Sequence, residues 1–411
     1  MAGMRQSGGS EWRAHGTVLF PSIAGIALVA VHGYSLGVMI APIEQEFGWS
    51  RAEISVGHMI TACIALVLAP FVGMAIDHIG PRRIAIIGVI AYCAALGALS
   101  TASANVMSWW LRWTVLGLAA TIILPTVWMA AINSLFSRHR GKALAFALLG
   151  TGLSATVVPG LTNLLVGELG WRGTYLALAV GMGAVVLCLV LAFFYGATDR
   201  TRDSGLSVPA TALPGLSARE GFTSPAFIKL GVAVLVFGVT ILAFAVIAVP
   251  VLIAHGLDSG TAAGIAGLIG IGSITGRLAG GFLLDWFEAR KVAALTVTAP
   301  VVSIVLLLVF PGSPLLAGIA LLAMGLALGA EVDACSYLAA RHFGMRSFGT
   351  LFGAINGTVM FGSGVAPVIA NYVYDITGSY DPVLWATVPL CLLAAGLFLS
   401  LGAYPDFDEA V

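Results

Sequence analysis

The sequence predicts an all-helical membrane protein of twelve transmembrane spans, arranged as two pseudo-symmetric six-helix bundles. Three observations lead there: the scarcity of charge, the length and number of the apolar runs, and a motif that occurs twice. Of 411 residues, 59% are hydrophobic and 9% charged, against roughly 25% charged in a soluble domain. A hydrocarbon core of about 30 Å takes about twenty apolar residues per helix. Twelve runs meet that length: 17–40, 56–76, 84–104, 108–132, 143–165, 173–196, 227–254, 261–284, 292–311, 314–337, 349–373 and 383–403.

The first run exceeds the about 7 to 15 residues of a signal-peptide core and no small-residue cleavage site follows it, so it is expected to stay as a span. The long polar interruption 197–226, "ATDRTRDSGLSVPATALPGLSAREGFTSPA", separates the sixth run from the seventh. It divides the chain into an N-terminal bundle 1–196, a cytoplasmic linker 197–226 with a short interfacial helix near Leu216 to Gly221, and a C-terminal bundle 227–411. With both termini inside, only Arg51 and Arg172 of the nineteen basic residues fall outside, and Arg112 and Arg277 lie within spans. The positive-inside rule therefore places both termini in the cytoplasm of a plasma (inner) membrane.

The halves repeat one another. "GMAIDHIGPRR" (Gly73 to Arg83) and "GFLLDWFEARK" (Gly281 to Lys291) share Gly, three residues, Asp, four residues and two basic residues, and "RHRGKA" from Arg138 is matched by "RHFGMR" from Arg341. Such repeats are a signature of secondary transporters. In the first copy Gly80 and Pro81 make a turn, with Pro81 suited to open the third helix. Asp77 sits at a helix C-terminus, where the dipole disfavours a carboxylate unless a partner satisfies it.

The Gly73, Asp77, Gly80, Arg82, Arg83 run resembles the loop motif of the major facilitator superfamily, along essentially the whole chain. "FGWSRAEIS" (Phe47 to Ser55), "GELGWR" (Gly167 to Arg172), "SRHRGKALA" (Ser137 to Ala145) and "GRLAGGFLLD" (Gly276 to Asp285) are similar to its branch of monocarboxylate transporters and oxalate/formate exchangers. The resemblance implies the major facilitator fold, and a latch in which Asp77, with Arg82 and Arg83, meets a helix of the opposite half. The second copy departs from the pattern, with Glu288 in place of Gly80.

Intramembrane polar groups are the candidate site. A charge at bilayer depth costs at least about 2.5 kcal/mol on insertion scales, so Arg277 marks a site by default. Its same-face neighbours Gly270, Ser273, Gly280 and Gly281 are small, and Gly272, Gly276 and Gly280 form a stripe suited to close helix packing. Two readings of its counter-charge stand: a permanent pair with Glu331 or Asp333, or a carboxylate substrate held by the guanidinium fork. The resemblance favours the second, because an arginine of the eighth span is the anion ligand in that branch. Ser273 stands where carriers of the branch often have an aspartate, and Ser363 where the oxalate exchanger has a second cation. A single anion ligand suits a monocarboxylate.

Glu331 and Asp333 point to different faces of the tenth helix. They read either as gate partners of Arg341, Arg138 or Arg140, or as proton carriers. His32 reads as a helix-to-helix hydrogen-bonding group or as a proton or substrate ligand. Tyr34, Trp128, Phe361 and Tyr337 are aromatic candidates for an aromatic or bulky acid, and Arg112 reads as snorkelling from an aromatic belt.

"GYSLG" (Gly33 to Gly37) and "GTGLSA" (Gly150 to Ala155) imitate enzyme motifs but lack the strand-turn-helix setting those need. The five cysteines are scattered singly, without metal-ligand spacing. No enzyme activity, cofactor, metal or nucleic-acid partner is expected. The expected function is proton-coupled uptake of an organic anion by a monomeric carrier, its partners being the substrate, protons and the lipid bilayer. The rivals are a multidrug or metabolite efflux carrier of the same fold and a non-transporting membrane sensor.

Overall fold

The computed structural model describes residues 8–136, 139–196, 215–344 and 346–405. Among the described residues, eleven helices are long and apolar enough to cross a membrane, the longest covering Gly141–Phe193. Fifty-three residues of helix would extend about 80 Å, more than twice the hydrocarbon thickness. Gly170 resolves the mismatch: its φ of 66° and ψ of 173° break the helical path, so the segment is two helices and the crossings number twelve, as the sequence predicts.

We label the crossings α1 (Leu19–Phe47), α2 (Arg51–Ile79), α3 (Pro81–Ala98), α4 (Val106–Ile122 continued by Pro125–Leu135), α5 and α6 (140–169 and 171–193). The second bundle holds α7 (Pro225–Phe237 through Ala243–Ala254), α8 (Ser259–Ala266 with Leu268–Trp286), α9 (Ala289–Val309), α10 (Pro314–Phe343), α11 (Phe348–Thr377) and α12 (Asp381–Leu399). The apolar runs locate the middles of these helices better than their ends. α1 continues seven residues past the predicted 40, through Glu44 and Glu46, and stops where Gly48 takes up a left-handed φ of 68°. α2 starts at a capping box in which Ser50 and Glu53 satisfy each other's backbone N–H groups. Gly80 (φ 93°) ends α2 and Pro81 opens α3. The short helix expected in the linker is Ala218–Thr223, capped by Ser217 and Glu220; the linker residues 197–214 lie outside the described residues.

Two apolar cores follow the two halves. One is drawn from residues 18–194 together with Val246, the other from residues 230–401 together with Val38. The exchanged pair marks where α1 and α7 cross: a Cβ on Gly37 would come within 2.5 Å of the Val246 carbonyl oxygen. Inside the second half the predicted glycine stripe seats α8 on α10. Added Cβ atoms on Gly272, Gly276 and Gly280 would meet Leu322, Leu326 and Ala330, and Gly325 and Gly329 of α10 press reciprocally on Ile269 and Ser273. Where lipid removes the hydrophobic drive between helices, such backbone approach supplies the dispersion contact that holds them together.

Gly329→Val should therefore wedge α8 from α10, since its Cβ would fall 2.1 Å from the Ser273 carbonyl oxygen and 2.6 Å from the Arg277 nitrogen. Overpacking of this kind costs roughly 1–3 kcal/mol or more. Thermal unfolding in detergent should show a clear drop in Tm against Gly396→Ala, whose Cβ meets nothing within 4 Å.

Candidate functional site

The α8–α10 seam brings two of the intramembrane charges together. Arg277 Nη1 donates to Asp333 Oδ1 at 2.8 Å, with the arginine side chain only 9% exposed and the aspartate 30%. None of the remaining guanidinium nitrogens is sealed away without a partner. Glu331 turns the other way, as predicted for residues two apart on a helix. It is fully buried, hydrogen-bonded to Thr296 of α9, with the Cys335 thiol at 3.5 Å. The gate pairing considered for these acids is not formed with Arg341, whose guanidinium lies 4.8 Å over the Tyr404 ring; Arg138 and the Arg140 side chain lie outside the described residues.

The other candidates are scattered. Ser273 is buried one turn from Arg277, its carbonyl against Gly329. Tyr34 packs against both apolar cores and so stands at the junction of the halves. The Ser363 hydroxyl donates to the Met360 carbonyl (2.8 Å), and Phe361 and Tyr337 are exposed. Trp128 belongs to the core instead of a binding surface: it is fully buried, donates to the Ile123 carbonyl and meets Phe194. His32 lies within the first half, its Nδ1 3.2 Å from the Tyr92 hydroxyl. Arg112 donates to the Thr101 carbonyl and hydroxyl, in the 3-10 turn that follows α3.

In the loop motif, Arg82 donates to the Leu191 carbonyl at the end of α6, inside its own half, where a cation favourably meets a helix C-terminus. Arg83 is exposed, and the Asp77 side chain lies outside the described ones. In the second copy, Glu288 precedes α9 and pairs with Arg290 and Lys291. Hydrogen bonds from these two hold its carboxyl below the usual range.

Among the described residues, the polar contacts between the halves gather at the end of the bundle opposite the termini. There Asp375 of α11 accepts from the backbone N–H groups of Arg51 and Ala52, at 3.2 and 3.0 Å. Those are orphan donors at the positive end of α2. Arg51 bonds Glu44 at 3.0 Å and Tyr380 at 3.4 Å, and lies 4.0 Å over the Tyr374 ring. One turn deeper, buried Asn371 donates to Ser55 at 2.7 Å and accepts from Tyr380.

Two of the quoted motifs meet at this end: Glu46 pairs with Arg172 and accepts from Trp171 Nε1 at 2.6 Å, and Phe47 packs on Trp171. Sequence reading missed Asp375, Asn371 and Tyr380. The available signal was Arg51, one of two basic residues on that side. Along α8 half-to-half contact runs through Gly267 and Gly270 against Thr156 and on to Ile274 against Gly152. Arg277 stands one turn beyond, toward the end that carries the termini.

A family model described as Major Facilitator Superfamily matches residues 23–367. The chain is 24% identical to monocarboxylate transporter 13 of Rattus norvegicus over 98% of this chain and 91% of that protein. It is 33% identical to monocarboxylate transporter 14 of Mus musculus and 25% identical to the riboflavin transporter RibJ of Trypanosoma cruzi. Each of these two matches spans 34% of this chain, and 27% and 30% of the respective relative. Among solved structures it matches a bacterial homologue of the human lysosomal transporter Spinster, inward-facing and unoccupied. There the TM-score is 0.70 at 15% identity, over 95% of this chain and 98% of that one. It also matches the nucleoside transporter NupG (D323A mutant), with TM-score 0.75 at 12% identity, over 94% of this chain and 100% of that one.

Asp375→Asn should loosen the closed end by about 1–3 kcal/mol, the cost of weakening a charge-assisted bond. With a cysteine at Ser55 as reporter, thiol labelling from that side should speed up roughly five-fold or more.

Proposed function

The chain belongs to the major facilitator superfamily, and from that premise we propose that it carries a small organic anion, in the first place a monocarboxylate, on Arg277. The observation behind this reading is the Arg277–Asp333 pair: a guanidinium inside the membrane whose recorded partner is a carboxylate. The site is chemically suited to a second carboxylate entering in place of the first.

Charge balance then bears on the coupling. The resident pair is neutral, and a monoanion arriving beside it would leave one uncompensated charge at bilayer depth, a cost of at least about 2.5 kcal/mol. A proton taken up by Asp333 removes that charge as the substrate replaces it on Arg277. Anion and proton thus travel together, one for one. Ser273, one turn away, is the candidate beside it for the rest of the substrate, Tyr34, Phe361 and Ser363 are more distant candidates, and Glu331 and His32 remain outside this exchange.

The distribution of Lys and Arg supports termini on the cytoplasmic side. In that orientation the Arg51–Asp375 contacts tie the halves together at the outward end, and Arg277 stands one turn further in than the Gly152–Ile274 contact. We read the Asp77, Arg82 and Arg83 loop, with Arg341, as the latch of the opposite state; here Arg82 rests on α6.

A second reading draws on the riboflavin-transporter relatives: a neutral, planar substrate, with Arg277–Asp333 kept as a permanent ion pair. Thermal shift in detergent separates the two. A ligand at 100 times its Kd stabilises the folded state by about 2.7 kcal/mol. Under the anion reading, a panel of monocarboxylates raises the Tm of the wild type, Arg277→Gln loses the response, and Asp333→Asn binds the anion without its dependence on pH. A response to neutral flavins, retained in both variants, would sink it.

A further inference from the structure

The two acids of α10 lie in unlike surroundings. Asp333 is partly exposed and meets a guanidinium. Glu331 is wholly buried on another face of the helix, and among the described residues no basic side chain bears on it. The groups that face it are hydroxyls and thiols. They are Thr296 of α9, Cys335 one turn along α10, and Cys391 of α12, which itself hydrogen-bonds Thr240 between the two limbs of α7. Thr296, Cys335 and Cys391 are buried as well. Asp333, already paired with Arg277, bears on Cys335.

The hydrogens available bear on the form of the acid. Thr296 Oγ1 lies 3.0 Å from the Val292 carbonyl oxygen, 3.1 Å from that of Ala293, and within bonding distance of Glu331 Oε2. A threonine hydroxyl owns one hydrogen, and inside a helix it bonds back to the carbonyl one turn earlier. With that hydrogen donated back, a lone pair of Oγ1 faces Oε2, and a hydrogen on the carboxyl joins the two. Oε1 accepts from the Cys335 thiol at 3.5 Å. As an acid, Glu331 therefore has a partner for each oxygen, and Thr296 relays the bond to its own helix. As a carboxylate it would be a sealed charge with no cation, the costliest arrangement at bilayer depth.

We propose that Glu331 is a proton site of the second half: a neutral carboxylic acid that joins α10 to α9, apart from the anion exchange at Arg277 and Asp333. Two carboxyls two residues apart then hold their protons differently because their surroundings differ. Asp333 is an anion on the side of α8, and Glu331 an acid on the side of α9 and α12. The proton on Glu331 lets these helices pack without a counter-charge. Its release in alkaline medium would place an unpaired charge against Thr296 and Cys335, within reach of Cys391 and, through it, of the middle of α7. The packing of the second half is in this way a function of pH, whether or not substrate is present.

Two measurements test this without substrate. Infrared spectra of the purified carrier at about pH 7 should contain the C=O stretching band of a protonated carboxyl, with one carboxyl's intensity lost in Glu331→Gln and kept in Asp333→Asn. Glutamine keeps a donor for Thr296 and an acceptor for Cys335, and size-exclusion chromatography checks that the variant folds. Stability carries the second signature. The folded chain holds a proton that an ordinary glutamate, with a pKa of about 4.3, has released in the unfolded chain. Stability therefore falls as pH rises above that value, until the folded chain ionises too. Between about pH 5 and about pH 7 the unfolding constant of the wild type, relative to that of Glu331→Gln, should rise about tenfold per pH unit. A band unchanged in Glu331→Gln, or equal pH slopes in the two proteins, overturns the proposal. If Glu331→Gln does not fold, Thr296→Val takes its place: it removes the acceptor and should move the band to higher frequency, and an unmoved band overturns the proposal equally. Thermal shift by added acids, which decides the reading of Arg277, is independent of these outcomes.

Discussion

The close seating of α8 on α10 governs the chemistry of the second half. Glycines on both helices let the backbones approach until Gly329 rests on the Ser273 carbonyl. At that separation an arginine of α8 and an aspartate of α10 meet at hydrogen-bonding distance without distorting either helix. Bulkier residues in the stripe would hold the helices farther apart and leave each charge to find another partner, or none, in a medium that punishes both outcomes. The small residues and the charged ones are therefore a single design: the first set the distance at which the second can neutralise each other.

Much of this was legible in the sequence. The apolar runs gave the number of crossings, because the hydrocarbon thickness imposes a minimum length and little else in a chain this apolar competes with that signal. The Gly272, Gly276, Gly280 stripe was readable as a packing face, and the two-residue separation of Glu331 from Asp333 implied their divergence. Which acid meets Arg277 was not readable, since that depends on the rotation of α10 about its axis. The helix ends were misplaced where polar residues such as Glu44 and Glu46 continue a helix beyond its apolar stretch. Trp128 read as a candidate for substrate because an aromatic in a span looks the same in sequence whether it packs on Phe194 or lines a cavity.

The closed end was the least legible part. Arg51 is separated from Asn371, Asp375 and Tyr380 by more than three hundred residues of chain, and no spacing rule connects them. What joins them is the topology, which returns α11 alongside α2, and the unsatisfied N–H groups that any helix start presents, two of which Asp375 accepts. "FGWSRAEIS" proves to be a junction: at one edge Phe47 and the neighbouring Glu46 tie α1 to Trp171 and Arg172 within the first half, and at the other Arg51 and Ala52 tie α2 to the second.

The interruption of α7 carries a last consequence. Between Pro225–Phe237 and Ala243–Ala254, residues Gly238–Leu242 form a wide π turn, and Gly238 nestles against the Val359 carbonyl of α11. One extra residue in a turn rotates everything downstream by about 100°. The two limbs of α7 thus follow different helical phases, the first meeting α11 at Gly238 and the second presenting Val246 and Pro250 to α1 across the junction of the halves. A helical wheel drawn through the whole span would assign the wrong residues to one partner. The wide turn is also a place where the helix can change its winding, from one hydrogen-bond register to the next.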